Sequence, residues 1–140
     1  MNAAQASLKS MRIIHLCFLF TVILYVWLPS MIKQEDAKPP MILVAVFGML
    51  ALTSVGASAF FQSKLVRPAA QQLQQDADDK QAAGRWRSGI ILSFVFSETV
   101  ILSGLVMRIL GVPWSIAGIF YAVGALLLVW CTPKLELPSE

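Results

Sequence analysis

Four apolar runs decide what this chain can be. They cover residues 13–29, 41–61, 90–110 and 113–131. The eleven Lys and Arg and eight Asp and Glu fall outside them with two exceptions, Glu98 and Arg108. A bilayer core about 30 Å thick takes roughly 20 apolar residues of helix, and each run is close to that length. Charged residues make up only 14% of the chain, against about 25% in soluble domains. That excludes a disordered chain and an ordinary water-soluble globule. The sequence therefore predicts an all-α integral membrane protein, a single membrane domain over residues 1–140. Four transmembrane helices, at about 11–29, 41–62, 88–110 and 113–131, would form an antiparallel bundle. Residues 64–87 form the one sizeable polar loop.

The cations set an orientation. Lys9, Arg12, Lys64, Arg67, Lys80, Arg85, Arg87 and Lys134 lie on the side of the termini, and only Lys33, Lys38 and Arg108 on the other. The positive-inside rule then places both termini in the cytoplasm and the chain, multi-pass, in a cytoplasmic (inner) membrane. The net charge of +3 is spread over the loops and gives no footprint for nucleic acid. The first run is expected to be retained: it ends in Leu28-Pro29-Ser30 without a small-x-small cleavage site, and three further runs follow.

Between the runs, residues 1–11 read as a short polar arm. Tyr25 and Trp27 sit where aromatic rings favour the outer interface. Lys33 to Lys38 form a charged outer loop, and Pro39-Pro40 start the next helix. In the 64–87 loop, Pro68 to Ala83 reads as a largely solvated helix that Gly84 stops. Asp76-Ala77-Asp78-Asp79 lacks the Gly and Glu that an EF-hand needs further on, and reads as an acidic surface cluster. Arg85-Trp86-Arg87 reads as an anchor at the cytoplasmic interface. Leu110-Gly111-Val112-Pro113 is a tight outer turn joining the last two spans.

Small residues recur at steps of three or four: Gly48, Ala51, Ser54 or Val55, and Ser58 in the second span, Gly89, Ser93 and Ser97 in the third, with Gly104 further along, and Gly118, Ala122 and Ala125 in the fourth. Lipid offers no hydrophobic drive between helices, so close approach at small residues takes its place. These stripes predict helix packing, within one chain or between copies.

Glu98 carries the chemistry. It lies about ten residues into its span, roughly 15 Å deep at about 1.5 Å per residue. A carboxylate there is costly, and desolvation favours the neutral acid. Either it binds a proton or cation reversibly, or it joins helices through hydrogen bonds. Thr21, Thr53, Ser54 and Tyr121 lie near the same depth and are its candidate polar partners. His15 lies nearer the cytoplasmic end, with at most an entry-path role, and Arg108 is expected to reach to the outer interface. One His and two separated Cys, Cys17 and Cys131, leave no metal site, no cofactor motif and no signature of an enzyme.

The stretch around Glu98 has a further reading. An apolar run with Glu98 and then Gly104-Leu105-Val106, preceded by a small-residue helix and a loop containing Arg67-Pro68, resembles the hairpin of the ATP synthase c subunit over residues 41–111. The resemblance implies that Glu98 matches the ion-binding carboxylate and that Gly48, Gly56 and Ser58 lie on the tightly packed helix. Three functions stay open. One is a structural or regulatory membrane protein whose Glu98 packs helices or holds a proton. The second is an oligomeric, proton-handling proteolipid, and the third a transporter subunit. The expected partners are the lipid bilayer, a second copy or another membrane protein, and protons.

Overall fold

The computed structural model describes residues 3–31 and 41–134; the expected outer loop at Lys33 to Lys38 and the Pro39-Pro40 helix start lie outside them. Every element within these residues is helical: α1 (Ala3–Ser30), α2 (Met41–Phe61), a π-helical segment (Gln62–Val66), α3 (Arg67–Gln75), α4 (Lys80–Ile109) and α5 (Trp114–Trp130). Three of the helices are long and apolar enough to cross a membrane: α1, α4, and the continuous helix Met41–Gln75 that α2 forms with the π segment and α3. The fourth apolar helix, α5, has 17 residues.

α4 is the hub, packing against α1, α2, α3 and α5. The rings of His15 and Phe18 meet Phe94 with centroids 5.1 and 5.4 Å apart, while Tyr25 reaches Glu98. Residue numbers rise together along α1 and α4, so these two helices run in parallel. Phe61 stacks on Phe96 and Val66 abuts Gly89, which makes α2 antiparallel to α4. Consecutive long helices alternate in direction, and α1 packs beside the parallel α4. The cause is visible at the N-terminus, where the 67–79 segment holds the start of α1 against the start of α4.

That N-terminus departs from a polar arm. α1 is helical from Ala3, and its first turn is capped from the loop. The Ala3 amide donates to the Asp78 carboxylate at 3.2 Å and the Ala4 amide to the Ala77 carbonyl at 3.0 Å. Ala4, Ser7 and Met11 are buried. Ala4 and Met11 share a core with Ala69 and Leu73 of α3 and with Ala82, Ala83 and Trp86 of α4. The Arg85-Trp86-Arg87 triplet is therefore split: the cations are exposed, but Trp86 is fully buried and is no interfacial anchor.

The single loop helix expected over 68–83 is two helices. α3 ends at Gln75, and α4 begins at Lys80 and runs through Gly84 without a break. Short polar side chains capture nearby amides and end a helix more firmly than one glycine does. Asp76 accepts from the Asp78 amide at 3.0 Å. Asp79 is the N-cap of α4, accepting from the amides of Gln81 and Ala82 at 2.8 and 3.0 Å.

The α4–α5 turn is built as the sequence suggests. Val112 N–H donates to Met107 O and Gly111 N–H to Arg108 O, each at 3.0 Å. Gly111 has φ 84°. This is a Schellman ending, in which only glycine takes the left-handed position without strain. Met107 and Val112, at its two ends, are both fully buried in a second core with Val100, Phe120 and Leu127.

Candidate functional site

Glu98 sits on the face of α4 that α1 covers, and it is half-buried. Its Oε1 accepts a hydrogen bond from the Tyr25 hydroxyl at 3.1 Å. The Tyr121 hydroxyl of α5 donates to the backbone carbonyl of Tyr25 at 3.0 Å. Three helices are thus joined at one level by two phenols and one carboxyl. Among the described residues Glu98 has no ion-pair partner, and no three of His, Cys, Asp and Glu come together.

Of the four expected partners, Tyr121 alone enters this cluster, through Tyr25. The Thr21 hydroxyl donates to Cys17 O at 2.9 Å. Thr53, which is exposed, donates to Met49 O and Leu50 O, and buried Ser54 to Leu50 O at 2.8 Å. Each satisfies its hydroxyl on its own helix, so none needs a neighbour. The partner that equal depth misses is Tyr25. Helical side chains tilt toward the N-terminus, and a phenol reaches about a turn. On a helix parallel to α4, Tyr25 therefore meets a carboxylate deeper than its own Cα.

Nearly three turns of α1 before Tyr25, His15 forms a second interhelical bond. Its Nε2 lies 3.0 Å from Leu128 O. A carbonyl only accepts, so Nε2 carries the proton. The Thr132 amide turns back to Val129 O, which leaves the Leu128 carbonyl at the end of α5 for His15 to satisfy. The imidazole lies flat on Phe94, with 18° between the planes. Phe94 stands one helical turn from Glu98, and the imidazole and the carboxyl share no hydrogen bond.

Arg108 turns toward the α4–α5 turn. It is buried, donates from Nη1 to Val112 O at 3.0 Å, and lies 5.2 Å from the centroid of the Trp114 ring.

The small residues divide by face. Ser58, Ser93 and Ser97 are fully buried, and Ser58 Oγ meets Cys131 Sγ at 3.5 Å. A methyl group on Gly104 would meet Ala117 O and Phe120 Cβ at 3.1 Å. Ala51 is half-buried against the second core. Gly48 and Gly118, by contrast, face open space, and Ala122 is exposed. The packed face of α5 is Ala117, Tyr121, Gly124 and Leu128, one position away from the 118–122–125 stripe. Gly124 admits Ile101 and the Ser97 carbonyl; the bulk of Tyr121 and Leu128 fills the rest. Gly48, Ala51, Val55, Val100, Ile119 and Val123 line an open apolar groove of about 230 Å³ between α2 and α5.

No family model, curated protein or solved structure matches the chain.

Proposed function

We propose that this chain is a four-span protein of a cytoplasmic membrane, with both termini inside, whose role is structural or regulatory rather than catalytic. In this reading Glu98 joins helices, and any proton it carries is held rather than passed on. The outward faces of α1 and α2 support the membrane setting. Leu16, Phe20, Met41, Ile42 and Leu52 are each more than 60% exposed, a surface that water would aggregate and lipid tails cover. α5 is the shortest span; its 17 residues cover roughly 25 Å at about 1.5 Å each.

The observation that carries the role of Glu98 is its bond from Tyr25. A carboxyl that accepts a hydrogen bond from the neighbouring helix stabilises their contact, where the same group facing lipid would serve ion exchange. Carbodiimide labelling of the protein in native membranes tests it. The expected result is slow modification of Glu98 that accelerates in Tyr25→Phe. Fast modification of the unaltered protein, together with rings of many copies, would overturn this reading and favour the proteolipid one.

A further inference from the structure

We propose that the outward face of α1's first half is a seat for an anionic phospholipid headgroup. A shallow hollow there is lined by Gln5, Leu8, Lys9, Arg12, Ile13 and Leu16, which fall on one helical face at steps of three and four. Lys9 and Arg12 are exposed, and among the described residues neither has an ion pair. Directly along the helix the surface turns apolar: Ile13 is 56% and Leu16 64% exposed. Two cations above bare aliphatic side chains match a phosphodiester above its acyl chains.

The depth fits. His15 bonds Leu128 O near the end of α5, and exposed Trp130 marks that level as interfacial. Arg12 and Lys9 lie one and two turns further out, roughly 5 and 9 Å at about 1.5 Å per residue. Lys64, Arg67, Arg85, Arg87 and Lys134 stand exposed at this same end.

The carboxylates are layered beyond them. Asp78 holds the Ala3 amide, about 9 Å past Lys9 by the same rise, and Asp76 and Asp79 share its turn. Cations at the headgroup level with carboxylates further into water is the order that a negative leaflet favours. A protein partner of acidic character would require no such layering against the apolar girdle, so the lipid is the occupant the arrangement fits.

The inference rests on the membrane reading above. It is tested by titrating phosphatidylglycerol or phosphatidylcholine onto the detergent-solubilised full chain and following bound lipid by native mass spectrometry. The expected result is tighter binding of phosphatidylglycerol. Lys9→Ala with Arg12→Ala should weaken it roughly thirtyfold, taking about 1 kcal/mol per cation. The swap Lys9→Arg with Arg12→Lys should retain it, and Lys80→Ala should leave it unchanged. Equal affinity for the two lipids, or a double-alanine variant that binds phosphatidylglycerol as the parent does, would overturn the proposal. A chain that fails to insert into vesicles of either lipid would instead sink the membrane reading itself.

Discussion

The Tyr25 hydroxyl and the Glu98 carboxyl meet at 3.1 Å across two helices that run side by side in the same direction. Hydrogen bonds between membrane helices contribute about 0.6 kcal/mol on average and up to roughly 1.7. A double-mutant cycle of Tyr25→Phe and Glu98→Leu, read by unfolding in mixed micelles, should therefore give a coupling near 1 kcal/mol. Glu98→Gln keeps an acceptor for the phenol and should lose less than Glu98→Leu. A coupling indistinguishable from zero would remove Glu98 from the α1–α4 contact.

Gly124 and Gly118 make opposite forecasts from the same residue type. A methyl group at Gly124 would press on Ile101 and lie 3.0 Å from the Ser97 carbonyl. Gly124→Ala should cost about 1–3 kcal/mol, the usual range for overpacking. At Gly118 the same methyl meets nothing, and Gly118→Ala should be neutral or slightly stabilising through helix propensity. Thermal unfolding of the two variants beside the parent decides it; a reversed order would mean α5 is rotated about its axis.

The long apolar helices and the α4–α5 turn were legible because they follow from one-dimensional rules. Apolar length gives the helices, and Leu110-Gly111-Val112-Pro113 contains the glycine that a Schellman ending requires. What the sequence hides is which faces meet. In lipid both the packed and the exposed sides of a helix are apolar, so α5 offers the 118–122–125 stripe as readily as the buried 117–121–124–128 one. The pairing of α1 with α4 was hidden for a related reason. Nothing in the apolar pattern of α1 marks α4 as its neighbour; the clamp from Asp78 and Ala77 does, and its short aspartates read as surface charge. Glu98 was legible as the one acid inside an apolar run, where charge stands out. Its partner was not, since a tyrosine near a span end is equally at home in the interface.

Asp79 and Asp78 serve two different helices. Asp79 caps α4 through the Gln81 and Ala82 amides, so Asp79→Ala should destabilise the fold by about 1 kcal/mol. Asp78 holds α1 through the Ala3 amide alone, so Asp78→Ala should chiefly release the first turn of α1. Amide hydrogen exchange separates the two. Asp78→Ala should speed exchange at Ala3 and Ala4 while the amides of Ala82 and Ala83 keep their protection; Asp79→Ala should do the reverse. Matching profiles in both variants would mean that the acidic turn melts as one unit.

Trp86 is the residue on which the whole end of the bundle outside the apolar girdle depends. It is 0% exposed and packed with residues of α1 and α3, and no hydrogen-bond partner meets its indole Nε1 among the described residues. These facts oppose each other. Removing the ring leaves a large void, and Trp86→Ala should cost about 3–5 kcal/mol. An unmade buried hydrogen bond already costs the parent about 1–3 kcal/mol. Trp86→Phe discards that N–H while keeping most of the apolar area, so it should lose far less than Trp86→Ala. Denaturant unfolding gives the ranking, and limited proteolysis near Asp76 reports whether the cap has opened. A Trp86→Ala variant as stable and as resistant as the parent would return this residue to the membrane interface and leave α1, α3 and α4 without a shared core at that end.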